Sequence, residues 1–100
     1  MGDTLTPTQY RTLSIIAGCP GGMTLLLPLY WRDRHHQALI RRGLLRLRAD
    51  PLKTRANMLR GWITARGRKA VQMASAAVRA QAKADEDRDY AKYVREQMAA

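Results

Sequence analysis

The stretch Asp33-Arg-His-His-Gln-Ala-Leu-Ile-Arg-Arg-Gly-Leu-Leu-Arg-Leu-Arg48 contains a helix start, a helix stop and the start of a strand. Asp33 has the short acceptor side chain of an N-cap, and Gly43 is the residue type that closes a helix in the left-handed conformation. A helix is therefore predicted over 34–42. After Leu44, apolar and basic residues alternate, the period of a strand with one face buried. If Leu39 turns to the core, His35 faces inward as well. Arg34, Gln37 and Arg41, at i, i+3 and i+7, then fall near the opposite pole of the helix.

This stretch sits inside the charged block of the chain. Between Arg32 and Lys69 there are twelve Lys and Arg against two acids, Asp33 and Asp50, so the block alone carries the formal net charge of +10. The remaining six cations, Arg11, Arg79, Lys83, Arg88, Lys92 and Arg95, are balanced by six acids. A local excess of this size repels itself unless it meets a polyanion. Ten of the twelve are Arg, whose planar fork suits phosphate and guanine.

Toward the N-terminus, Thr6, Pro7 and Gln9 form the pattern of a capped helix start, with Gln9 placed for a capping box. Tyr10, Leu13, Ile16 and Ala17 recur at helical spacing, which predicts an amphipathic helix over 7–17. Gly18-Cys-Pro-Gly-Gly22 stops it. Between Met23 and Trp31, Pro28 forbids a continuous helix. Either 23–27 is extended and Pro28 opens a short helix, or a single turn precedes a bend; the first is the preferred reading.

Toward the C-terminus, 49–61 reads as a polar, basic excursion with a turn at Asp50-Pro51. Trp62-Ile63 is its apolar return. The natural reading is a two-stranded hairpin whose tip carries Lys53 and Arg55. Thr64 then caps a long helix over 65–99, in which only Gly67 disfavours helix. The stripe Val71, Ala74, Val78, Ala82 is separated from Tyr90, Val94, Met98 by the acids Asp85-Glu-Asp-Arg-Asp89, where the helix could bend or break with Asp85 as a new cap. The acids otherwise read as a solvated face with pairs such as Lys83–Asp87 and Lys92–Glu96. Tyr90, Tyr93, Val94 and Met98 are either anchors of a protein interface or residues that fold back on the core.

Composition bounds the rest. One hundred residues with 46% hydrophobic content make a single small globule, rich in helix and too apolar for a disordered basic tail. The lone Cys19 excludes an internal disulfide and points to a reducing compartment. No apolar run is long enough for a membrane span, and the first residues have neither the basic start nor the apolar core of a signal peptide. A cytoplasmic protein of prokaryotic or phage type, with no membrane association, is the expectation. His35 and His36 diverge by about 100° on a helix and have no His or Cys at i+3 or i+4, so no metal site is expected. Cys19 has no base at a recognisable spacing, and no Lys-Ser/Thr follows the glycines at 18–22, so neither a nucleophile nor a phosphate-cradling loop is read there. No cofactor and no enzymatic activity are expected.

Three strings carry a resemblance. Leu5-Thr-Pro-Thr-Gln-Tyr-Arg-Thr-Leu13 resembles the "LTxxQxxxL" opening of MarR-type domains. Ala38-Leu-Ile-Arg-Arg-Gly-Leu-Leu45 is similar to the end of a recognition helix running into the first wing strand. Trp62-Ile-Thr-Ala-Arg-Gly-Arg-Lys-Ala-Val71 resembles the "LTxxGRxxL" that closes a wing and opens the next helix. Their order resembles a minimal winged helix-turn-helix of the kind small phage and mobile-element proteins carry. The chain departs from MarR proteins in three ways. The segment between Thr24 and Gly43 is shorter, so the helix before recognition must be reduced. Asp50 and Arg55 only approximate the Asp-x-Arg of the MarR wing. No counterpart of the N-terminal dimerisation helix precedes Leu5.

The resemblance implies a mainly α fold with a small β-hairpin and a long C-terminal helix, organised as a winged-helix domain over 1–71 and a helical extension over 72–100. It implies a sequence-specific double-stranded-DNA-binding protein, a small regulator of transcription. Arg34, Gln37, Arg41 and Arg42 would read the major groove, and a basic wing over 50–61 would rest on phosphates or the minor groove through Lys53, Arg55 and Arg60. Arg66, Arg68 and Lys69 would hold phosphate at a helix N-terminus, where cations oppose the helix dipole unless an anion binds. A homodimer would form through the C-terminal helix. The competing expectation is a winged-helix adaptor or inhibitor that binds a host nucleic-acid machine through Tyr90, Tyr93, Val94 and Met98. Single-stranded RNA ranks third, because it requires exposed aromatic platforms and the block offers only Trp62, expected to be buried.

Overall fold

Thr6 opens the first helix as its residue type predicts. Its hydroxyl accepts from the Gln9 N–H at 3.2 Å, while the Gln9 carboxamide oxygen accepts from the Thr6 N–H at 3.0 Å, a complete capping box. Helix α1 runs Pro7–Gly18, and a 3-10 turn at Pro20–Gly22 leads into strand β1, Met23–Leu26. Then follow α2 (Arg34–Arg41), β2 (Leu45–Ala49), β3 (Leu59–Ile63), α3 (Ala65–Gln72) and α4 (Ala76–Ala99). These come from a computed structural model that describes residues 4–26, 33–49 and 59–99. The fold is mainly helical, with a small antiparallel sheet and a long C-terminal helix.

The hairpin expected from the alternation around Arg46 is part of a three-stranded sheet. β3 is central, in the order β1-β3-β2, and both pairings are antiparallel. β3 begins at Leu59, so its first three residues lie inside the stretch read as a polar excursion. The extended reading of 23–27 is met by β1 through Leu26; the helix proposed to start at Pro28 lies outside the described residues.

Leu13 and Ile16 of α1, Leu39 of α2, Leu44 and Leu45 at the start of β2, Ile63 of β3 and Ala70 of α3 are buried together with Leu5. Leu13, Ile16 and Leu39 are the core positions that periodicity predicts, whereas in α3 the buried residue is Ala70 and Val71 of the expected stripe is only partly buried. Strand alternation explains why Leu45 and Ile63, paired across the ladder, both point inward. Thr64 joins the layers. Its hydroxyl donates to the Gly43 carbonyl at 2.7 Å and accepts from the Gly67 N–H at 3.0 Å, so one side chain closes α2 and opens α3. Gly43 takes the left-handed conformation, with φ +72, that a helix-ending glycine supplies.

The long helix predicted over 65–99 is broken, and not at the acids. It stops at Gln72 and restarts at Ala76, whereas Asp85 to Asp89 run through the middle of α4. Two side chains make the break. The Ser75 hydroxyl accepts from the Val78 N–H at 3.2 Å, capping the new helix. The Arg79 guanidinium donates to the carbonyls of Gln72 at 2.7 Å, Val71 at 3.3 Å and Ala74 at 3.2 Å, supplying donors to acceptors at and just beyond the end of α3.

After the break α4 packs on α1. Ala82 is buried, Arg79 lies over the Tyr10 ring at 5.9 Å, and Arg11 pairs with Asp89 at 3.1 Å. The segment expected as an extension over 72–100 is thus docked along its first half. Its acids pair differently from the expectation: Asp85 accepts from Gln81 and Arg88 rather than Asp87 from Lys83. The fold-back alternative for the C-terminal stripe is not realised. Tyr90, Tyr93 and Met98 are 68, 58 and 82% exposed, with Val94 half-buried.

Candidate nucleic-acid interface

Helix α2 is positioned by its buried side. Leu39 is fully enclosed, and the inward-facing His35 meets Thr12 of α1, Nε2 to Oγ1 at 2.8 Å. The Asp33 carboxylate caps the helix by accepting from the His35 N–H and also contacts the His36 ring at 3.2 Å. With that face fixed, Arg34 and Arg41 stand exposed on the other side and Gln37 is half-exposed between them. The stripe inferred from periodicity is the outward surface of α2.

The His35 ring is held below the ordinary imidazole range by burial and by the neighbouring charge of His36, against the opposing pull of Asp33. The ordinary value is about 6.5, so below it the unfolded chain takes up a proton that the folded chain resists. Stability should be level above neutrality and decline as pH falls through and below that value. Chemical denaturation at about pH 7.5 and about pH 5.5 measures this. His35→Gln should lose less stability between the two than the parent chain, and equal losses would exclude this role for His35.

Arg42 is not part of the outward stripe. Its guanidinium donates to the Gln9 carboxamide oxygen at 3.1 Å and to the Thr4 carbonyl at 2.6 Å, tying the end of α2 to the start of α1. The expectation that it reads bases is corrected to a structural tie. Lys53 and Arg55, and with them most of the expected wing, lie outside the described residues. The α3 cations separate. Arg66 reaches toward Gly43 at the end of α2, whereas the Arg68 guanidinium lies against the Gly22 backbone, where even a methyl group would overlap it. Arg66 and Arg68 therefore do not converge on one anion at the α3 N-terminus. Lys69 is exposed.

The sheet adds Arg46 and Arg48, which the expected site did not include, to Arg60, which it did. Leu45 and Ile63 point to the core, so Arg46, Arg48, Arg60 and Trp62 share the other face. Arg46 stands directly across from Trp62, and Arg48 across from Arg60. Trp62, expected to be buried, is only half-buried, and the Arg48 guanidinium lies over its ring 4.4 Å from the centroid. A groove of about 900 Å³ runs from here past Ile40 and Gly43 to Arg66. The sequence signal was the alternation of 46 with 48 and of 60 with 62, which becomes one surface once the register is known.

The described acids are segregated from these cations. Asp33 is engaged in capping α2, and the other five (Asp85, Glu86, Asp87, Asp89, Glu96) ride on α4. Among the described residues, no group of three His, Cys, Asp or Glu is placed to hold a metal ion, and no helix is long and apolar enough to cross a membrane. Neither a protein-family model, nor a curated protein, nor a solved structure matches this chain.

Proposed function

We propose that this chain is a winged helix-turn-helix protein that binds double-stranded DNA, acting as a small transcriptional regulator, with α2 in the major groove. The observation that carries the reading is the exposure of Arg34 and Arg41, with half-exposed Gln37 between them, along one side of a helix whose other side is locked by Leu39 and His35. Arg suits guanine and Gln suits adenine at the major-groove edge. The order α1, β1, α2, β2, β3 with sheet order β1-β3-β2 supports the winged-helix assignment, with the basic wing proposed over 50–61. Lys53 and Arg55 there would contact phosphate, as would Arg60 at its base.

Selection of binding sites from random duplex, followed by titration, tests this. Arg34→Ala and Arg41→Ala should each weaken the selected site by about 1–3 kcal/mol and alter the sequence selected, with melting temperature unchanged. Affinity should also fall steeply with salt, with a log–log slope near −0.9 for each phosphate contacted. A flat salt response, or an unchanged selected sequence in both variants, would exclude α2 as the reading element.

The second reading, a winged-helix adaptor for a host nucleic-acid machine, is favoured by the exposed Tyr90, Tyr93 and Met98 on α4. The same stripe would serve a homodimer through the C-terminal helix. A partner retained from lysate after nuclease digestion would favour the adaptor.

A further inference from the structure

We propose that the outer face of the sheet is a second binding site, for single-stranded nucleic acid, centred on Trp62 and Arg48. A duplex offers base edges and phosphates, but its base faces are already stacked on one another. An aromatic ring covered by a guanidinium offers the reverse: a flat surface that needs an unpaired base to stack against it. The Arg48 guanidinium at 4.4 Å from the Trp62 centroid forms such a surface. Its contact with the ring restrains it, so less side-chain freedom is lost when a nucleotide binds.

Two further observations suit the same ligand. Arg46 stands across the ladder from Trp62 and is exposed, placing a phosphate-binding cation beside the stacking surface. The groove that contains these residues is about 900 Å³, within the range of about 300–1,000 Å³ that encloses small ligands. It continues to Arg66 at the start of α3, which gives the strand a path rather than a single pocket. Among the described residues, no acidic side chain pairs with Arg46 or Arg48. This inference does not depend on duplex binding by α2.

The test uses the full chain with Trp31→Phe, so that Trp62 alone reports by fluorescence. It is titrated at low salt with an eight-nucleotide oligothymidylate, with oligouridylate and with inorganic polyphosphate. Saturable quenching by an oligonucleotide is expected, and the two oligonucleotides show whether DNA or RNA is preferred. Arg48→Ala and Arg46→Ala should weaken it at least tenfold, whereas Arg34→Ala and Arg41→Ala should leave it unchanged. If Trp31→Phe fails to fold, anisotropy of a labelled oligothymidylate with the unsubstituted protein and the same Arg variants gives the same comparison. Equal binding of polyphosphate, or oligonucleotide binding indifferent to Arg46 and Arg48, overturns the proposal. Absence of duplex binding by the unsubstituted protein, with single-strand binding intact, would sink the reading of α2 alone.

Discussion

Gly67→Ala should destabilise the protein by about 3 kcal/mol, despite replacing the poorest helix former of α3 with the best. Helix propensity alone predicts a gain of about 1 kcal/mol. The site reverses the sign. A Cβ at this position would lie 2.3 Å from the Leu44 carbonyl oxygen and 2.9 Å from Ile63 Cγ1. The first is backbone at the junction of α2 and β2, so it cannot swing aside as a side-chain tip could. That carbonyl also accepts from the Thr64 N–H at 3.2 Å, so relief of the clash would draw α3 away from Thr64's two bonds as well. For a domain of this size, a fall in melting temperature of more than about 10 °C is expected. A rise would show that propensity governs and that α3 is free to shift.

Leu39→Ala is the second large effect. The side chain is fully enclosed by the core, and deletions of this kind cost about 2–5 kcal/mol, according to how far the cavity collapses. That is a large share of the roughly 5–15 kcal/mol expected for a 100-residue domain. Leu39 is also the residue that points Arg34 and Arg41 outward. The variant should therefore lose duplex affinity and thermal stability together, unlike Arg34→Ala and Arg41→Ala, which should lose affinity alone. Calorimetry paired with duplex titration on the three variants makes the comparison. A Leu39→Ala protein that melts normally would mean α2 is not seated by its apolar side.

The elements with local signals were legible in the chain. Thr6 with Gln9, Asp33 with Gly43 and Thr64 each mark a boundary with a side chain or a backbone conformation that works within a few residues, and each is found there. The α2 stripe was legible for the same reason, since Leu39 and a 100° period are enough to place Arg34 and Arg41. The break at 73–75 was harder. Ser75 is a competent cap, but it sits in an Ala-rich run that favours helix throughout, and the deciding contacts come from Arg79, which reaches back to carbonyls seven and eight residues away. The acids at 85–89 looked the better breaker, yet Asp85 is bonded to Gln81 and Arg88 and the others are exposed, so they cost the helix little.

The sheet face was hidden for a different reason. Trp62 looks buried when read with Ile63 as a pair of apolar neighbours, but adjacent strand residues point to opposite faces, and only Ile63 goes inward. Which face Arg46 and Arg48 share with Trp62 depends on the β2–β3 register, which pairs residues too far apart in the chain for local signals to fix. Arg42 was misplaced because a helix-end cation looks the same in sequence whether it reaches solvent or a neighbouring helix. Its partners, Gln9 and Thr4, lie more than thirty residues away.

The excess charge is unevenly placed: α4 carries five cations (Arg79, Lys83, Arg88, Lys92, Arg95) against its five carboxylates, so the net positive charge lies mainly on α2, the sheet and α3. Those five carboxylates travel on the helix that lies along α1, and the exposed guanidiniums of α2 and β2 are on other elements. In the field of a long polyanion such a body feels a torque as well as a pull, so it arrives already turned before any contact forms. Reversing the sign of the α4 carboxylates would leave every contacting residue untouched. Each reversal would also add two positive charges, so association with the polyanion should quicken even as the arriving orientations become less uniform.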